Sequence, residues 1–322
     1  MAAPAESDYG DAEGAVPARP YPSSCRQPAT THGRGGMMEM VMSIAAMAPL
    51  DLAALAAIVL IGLPHGALDG AIAIHLGFTR KIMHFIRFLV LYIAMAGLVV
   101  GAWMLAPTAC LFGFLIISML HFGAGDARHG TGWLRGTEIL AHGGLVIVGI
   151  NQMHHDEVDV IFGYLTGRET ALLWQGIDVL TVIVGMAVVV CFAQALWHRR
   201  WRGTAVELAA LAVLFALTPP LVGFAVYFCC VHSARHVHGI VNSLRLDMSR
   251  FNMLNQAAAF TVASWTAGGV AIWWFADMAN PEPVVLRVVF IGLAALTVPH
   301  MILVDGFFRR SGRTLKRQFI SR

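Results

Sequence analysis

DLAALAAIVLIGLPHGALDGAIAIHLG, residues 51–77, is the stretch that decides the fold. An apolar helix needs about 20 residues to cross the hydrocarbon of a bilayer, and this run exceeds that. It is no exception in its chain. Of 322 residues, 57% are hydrophobic and only 13% charged, and the mean hydropathy is +0.68. Soluble domains carry roughly 25% charged residues. A chain this apolar cannot cover itself with a polar surface, so lipid is its solvent and a multi-pass helical bundle in a cell (inner) membrane is predicted.

Outward from that stretch, eight more apolar runs follow, at about 83–106, 108–125, 137–152, 171–197, 203–217, 220–244, 255–277 and 284–306. Thr218, Pro219 and Pro220 must break the helix between the sixth and seventh runs, because a proline ring removes a donor and crowds the preceding turn. The reading is an all-α bundle of about nine spans, between eight and ten. Basic linkers alternate with neutral or acidic ones. Arg80, Lys81 and Arg87, then Arg128 and Arg135, then Arg199, Arg200 and Arg202, then Arg245 and Arg250, and finally Arg309, Arg310, Arg313, Lys316 and Arg317 all fall on one side. Positively charged linkers stay in the cytoplasm, which predicts an outside N-terminus and a cytoplasmic C-terminus. A net charge of +3 spent in this way writes topology and gives no reason to expect nucleic-acid binding.

Residues 1–36 are rich in Ala, Pro, Gly and Ser and read as a disordered tail. Residues 37–50 form a short apolar segment ending beside Pro49, too short to span and suited to an interfacial or re-entrant position. The catalytic transmembrane domain is then 51–308, followed by a basic cytoplasmic tail at 309–322. The five cysteines make no CxxC pair, and four sit in apolar runs as small core residues.

Fourteen histidines are the chemical signal. His32, His84, His129, His154, His155 and His198 lie in linkers or at span ends and read as solvated or interfacial. His65, His121, His232, His236 and His300 lie inside apolar runs. Charged types at such depth cost roughly 2.5–3.5 kcal/mol on insertion scales and turn toward the bundle interior. Spans one, three, seven and nine all run inward, and these five histidines lie about 18–25 Å from the outer face at ~1.5 Å per residue. Independent structural histidines have no reason to share a depth, whereas a common metal requires it. His232 and His236, in VHSARH, are spaced i, i+4 and project from one helical face. His238 points away. Asp69, Asp126 and Asp305 follow histidines at i+4 or i+5, and ligating imidazoles commonly donate their second N–H to such carboxylates. Arg235 is expected to face an aspartate or reach for the cytoplasmic surface. Imidazole donors suit iron, copper, zinc or nickel; few thiolates and an apolar setting favour Fe(2+) and oxygen chemistry.

PHGALD (Pro64–Asp69), HFGAGD (His121–Asp126), HSARH (His232–His236) and VPHMILVD (Val298–Asp305) resemble, in that order, the blocks of the bacterial and archaeal Brp/Blh family of β-carotene 15,15′-dioxygenases. The resemblance spans about 50–306. It implies an integral membrane enzyme that uses Fe(2+) and O2 to cut the central double bond of β-carotene into two all-trans-retinals, often serving a microbial rhodopsin. The family's iron-binding histidines map onto His65, His121, His232 and His236. Asp69, His300, Tyr227 and Phe228 are assigned to the surrounding pocket, with Phe224, Trp265, Trp273 and Trp274 as further aromatic candidates. The tail is longer than the family needs, and Ala141–Val148 matches loosely. Other readings are a bis-histidine haem electron-transfer protein, a di-iron desaturase, or a transporter with a histidine relay. The haem reading wants histidine pairs at two depths, and the desaturase wants several cytoplasmic histidine boxes. A retinal-binding opsin is excluded, since Lys81 and Lys316 are the only lysines and both lie in basic flanks.

Overall fold

The computed structural model describes residues 48–78, 81–167, 169–244, 249–275 and 281–308. The expected tail, the interfacial segment up to residue 47 and the basic C-terminal tail lie outside them. Among the described residues every regular element is helical. We number the α-helices α1 (Pro49–Ala57), α2 (Asp69–His75), α3 (Ile82–Leu105), α4 (Pro107–Asp126), α5 (Trp133–Gly144), α6 (Ile150–Met153), α7 (His155–Thr166), α8 (Ala171–Trp197), α9 (Arg202–Leu217), α10 (Pro220–Val226), α11 (Ala234–Leu244), α12 (Arg250–Phe275) and α13 (Pro281–Met301).

All nine apolar runs are helical over their described parts, and the break at Thr218–Pro220 falls as predicted, with α10 starting on Pro220. Among the described residues six helical segments are long and apolar enough to cross a membrane: Pro49–His75, Ile82–Leu105, Pro107–Asp126, Ala171–Trp197, Arg250–Phe275 and Glu282–Gly306. The remaining three runs are more polar or shorter. The first carries Glu138 and His142, α9 has 16 residues, and the last carries His232, Arg235 and His236.

Several spans are not uniform helices. A wide π turn, Ile58–Gly62, and a tight 3-10 segment, Leu63–Leu68, join α1 to α2. Pro64 sits at the start of the tight segment; its ring cannot continue the ordinary ladder, and the change of pitch accommodates it. Two more π segments, Tyr227–Ser233 and Ile302–Phe308, interrupt the seventh and ninth runs, the latter just after Pro299. A fourth, Leu145–Gly149, joins α5 to α6. π turns are rare and concentrate where a side chain must be re-aimed.

Glycine sets the closest helix pair. A Cβ built on Gly143 of α5 would collide with the carbonyl of Met119 on α4, and one on Gly123 would collide with the carbonyl of Ile139. Without a hydrophobic force between helices in lipid, such backbone approach is a main source of association. Gly143→Ala is therefore expected to destabilise the protein by about 1–3 kcal/mol through overpacking, read as a lowered thermal midpoint in detergent. Gly136→Ala, with open space around it, should leave that midpoint in place.

The polar connection between α4 and α5 is built on Glu138. Its fully buried carboxylate accepts hydrogen bonds from the backbone amides of Arg128, His129 and Gly130 at 2.7–3.2 Å. That satisfies both the buried charge and the donors of an irregular segment. In contrast, α3 and α12 bury only 6% of their apolar windows, and Leu91, Ile93, Val270 and Trp274 face outward. They form the lipid-facing wall of the bundle.

Candidate metal centre

The changes in helical pitch bring the five intramembrane histidines together. His65 comes from the tight segment after the first π turn, His121 from the last turns of α4, His232 from the π segment Tyr227–Ser233, His236 from α11, and His300 from the end of α13. All five are buried. Neighbouring ring centroids stand 5.0–6.0 Å apart. Donor atoms of His65, His121 and His232 lie within 4.8 Å of one another. His300 is as close to His65, His121 and His236 as those rings are to each other.

Three of the rings are held from outside. His65 Nδ1 donates to the Gly62 carbonyl and stands 3.2 Å from Ser233 Oγ. His300 Nδ1 donates to Asp69 Oδ1 at 2.8 Å, and His121 Nδ1 to Asp305 Oδ2 at 3.3 Å. Carboxylate and carbonyl oxygens accept only, so these contacts fix the proton on Nδ1 and leave Nε2 as a lone-pair donor. The Nε2 atom of His236 is buried with no hydrogen-bond partner among the described residues. Buried polar atoms are costly when unsatisfied. Outer-held imidazoles converging on one another, one with an orphaned nitrogen, are a donor set that iron, copper, zinc or nickel accepts.

Asp69 is fully buried and serves His300 rather than its sequence neighbour His65; Tyr92 donates to its other oxygen at 2.8 Å. Asp305 orients His121, whereas Asp126, 1% exposed, accepts from Tyr227 Oη at 2.7 Å and from Arg235 Nη1 at 2.9 Å. Arg235 also donates to Glu207 Oε1. Asp126, His142 and Glu207 present donor atoms within 4.8 Å of one another. The guanidinium of Arg235 bonded to both carboxylates supplies the positive charge such a group needs.

An apolar cavity reaches the centre at His65, His121 and His300. Phe228 lies edge-on to His65 at 5.2 Å, and Phe224 stacks on Phe228 at 5.4 Å; both line the cavity. Tyr227 packs behind, against Phe122, with its hydroxyl on Asp126. Trp265, Trp273 and Trp274 are exposed on α12 and do not line the cavity; Trp265 Nε1 donates to the Val59 carbonyl. A second, polar cavity reaches His232 and His236 past Asp126, Arg235 and Ser243. His238 bonds Asn242 away from the cluster.

The sequence reading did not pick out Glu138, His142, Asn151 or Glu207. Glu138 and His142 are spaced i, i+4 inside a helical run, and Glu207 is a lone carboxylate in another. Ionisable groups inside apolar helices were a usable signal.

Helical bundle, lipid-facing walls and a buried polyhistidine centre at the mouth of an apolar cavity define a membrane-embedded class suited to lipid-soluble ligands. Residues 56–308 match the β-carotene 15,15′-dioxygenase family, and the chain belongs to it. It is 35% identical over 268 residues to the β-carotene 15,15′-dioxygenase of uncultured marine bacterium 66A03, covering 83% of this chain and 97% of that one. It is 31% identical over 305 residues to a protein of Halobacterium salinarum named as a probable β-carotene 15,15′-dioxygenase, covering 80% of this chain and 84% of that one. No solved structure matches the chain.

Proposed function

We propose that this protein uses Fe(2+) and O2 to cleave the central double bond of β-carotene into two molecules of all-trans-retinal. The observation that carries the reading is the convergence of five buried histidines on the end of an apolar cavity inside a lipid-facing bundle. Iron is held by His65, His121, His232 and His236, with His300 set beside them by Asp69. Residues 51–308 form the catalytic unit, crossing the inner membrane nine times with the N-terminus outside and the C-terminus in the cytoplasm. The retinal serves a membrane opsin of the same cell.

The reaction balances on its substrates. One C=C bond and one O=O bond break, two C=O bonds form, and no outside reductant is consumed. Bound iron supplies the redox activation of dioxygen that a closed-shell polyene lacks. The chain's own residues supply the rest. Phe224 and Phe228 lay flat faces along the cavity and hold the polyene beside the histidines. Aromatic faces stabilise cationic character on an oxidising polyene by about 0.5–2 kcal/mol each. The apolar wall keeps water from reactive intermediates. Asp69 and Asp305 hold His300 and His121 and offset the charge that neutral imidazoles leave on the metal.

Expression in a β-carotene-producing bacterium tests the reading. Orange pigment should fade and retinal should accumulate in proportion, detected by chromatography of membrane extracts. Pigment unchanged in aerated cells, with iron bound to the purified protein, would overturn it.

A further inference from the structure

The apolar cavity is lined by a buried amide side chain that the catalytic reading does not use. Asn151, on α6, lines the cavity, is 6% exposed, and its amide nitrogen has no hydrogen-bond partner among the described residues. The two ends of an amide exchange by a half-turn of the side chain, so either a donor or an acceptor can face the cavity. In such a setting an unsatisfied amide is retained at a cost.

The helix register places Asn151. Gly143 packs on Met119 and Gly123 on Ile139, so α4 and α5 run antiparallel with these residues level. About two turns beyond Gly143, Asn151 comes level with Leu111, which lines the same cavity. Leu111 precedes His121 on α4 by nearly three turns, about 15 Å of rise. Val158, Ile161 and Phe162 of α7 line the cavity too. The carbonyl of Leu165 on that helix accepts from Trp103 Nε1, at the end of α3 away from the centre. A carotenoid with its central bond at the histidines fills this length with one half-chain, and its terminal ring arrives beside Asn151.

We infer that Asn151 is a specificity-determining residue that hydrogen-bonds an oxygen function on the terminal ring, so that the enzyme accepts carotenoids bearing a ring hydroxyl or ketone on the half that enters the cavity. The inference rests on the carotenoid-cleaving reading. For a plain hydrocarbon ring the amide stays unsatisfied; for an oxygenated ring it gains a partner. Sites with a buried hydrogen-bonding group discriminate between ligands that do and do not complete it.

The test compares purified wild type, Asn151→Leu and Asn151→Thr on β-carotene and on a carotene hydroxylated on one ring. The quantity read is the ratio of kcat/KM for the hydroxylated substrate to that for β-carotene. Leucine keeps the volume and removes the hydrogen bond, and the ratio is expected to fall about tenfold, the effect of one buried hydrogen bond. Threonine restores a hydroxyl and should recover part of the loss. An equal ratio in wild type and Asn151→Leu, or a wild type that cleaves β-carotene and rejects the hydroxylated substrate, would overturn the inference. Co-purification of the two carotenoids with each variant is measured alongside. If the wild type cleaves neither, the dioxygenase reading fails separately. The binding preference then decides Asn151: lost in the leucine variant it supports the assignment, unchanged it removes it.

Discussion

The His232→Ala protein is expected to purify with little iron and to show no turnover. His232 packs against both His121 and His236, with ring centroids at 5.0 and 5.9 Å, and its donor atom lies within 4.8 Å of those of His65 and His121. Removing it takes one imidazole out of the cluster. The same outcome is expected for His65→Ala, His121→Ala and His236→Ala, measured as iron per protein by atomic emission and as retinal formed. Disturbing an outer carboxylate is milder. Asp305→Ala frees the His121 ring, and loss of such an orienting partner lowers metal affinity by about 10–100-fold. His300→Ala is expected to keep its iron and lose rate. If His300→Ala comes out metal-free, His300 joins the ligand set; if any of the other four keeps its iron, that residue leaves it.

Arg235→Met is the second large effect, and it concerns stability. Arg235 sits between two of the histidines in HSARH and bonds Asp126, 1% exposed, together with Glu207. Removing one partner from a buried pair leaves the other charge uncompensated, at a cost of about 3–5 kcal/mol. Because Arg235 is itself 35% exposed on its side chain, water relieves part of this, and about 3 kcal/mol is the expected loss in detergent. Asp126→Asn added to Arg235→Met should restore part of the loss, since the buried charge of Asp126 then goes with its partner while Glu207 keeps Arg128. A single Arg235→Met variant as stable as wild type would show that Asp126 finds other solvation and that the pair contributes little.

The helical, membrane-borne character of the chain was legible from hydropathy alone, because every run must satisfy its own backbone in lipid. The five histidines were legible for the same reason: an imidazole in a span stands out against leucine and valine. Their partners were harder to read. Asp69 sits at i+4 from His65, yet its partner His300 lies on α13, and Asp126 turns to Tyr227 and Arg235 rather than toward His121. Spacing along one helix reports which face a residue shares; it does not report which helix that face meets. The π segments at Ile58–Gly62, Tyr227–Ser233 and Ile302–Phe308 had no sequence mark either. Each winds the chain more loosely than 3.6 residues per turn, so a side chain downstream rotates away from where a regular helix would send it. Asn151 stands beside Gln152 at the polar end of its run, where an amide reads as an ordinary span-end residue. It became informative only when the cavity was seen around it.

The outer wall of the cavity is thin. Phe260 and Ser264 of α12 line it from within, while other faces of the same helix look out on the bilayer. For an enzyme built this way, with a substrate that dissolves only in lipid, molarity in the aqueous phase loses its meaning. The variable that governs saturation is the number of carotenoid molecules per lipid in the surrounding leaflets. Adding empty lipid to a fixed amount of protein and pigment thins the substrate in two dimensions and slows the reaction, though nothing in the water has changed. A cell can therefore set the pace of the enzyme by how much membrane it makes as well as by how much pigment.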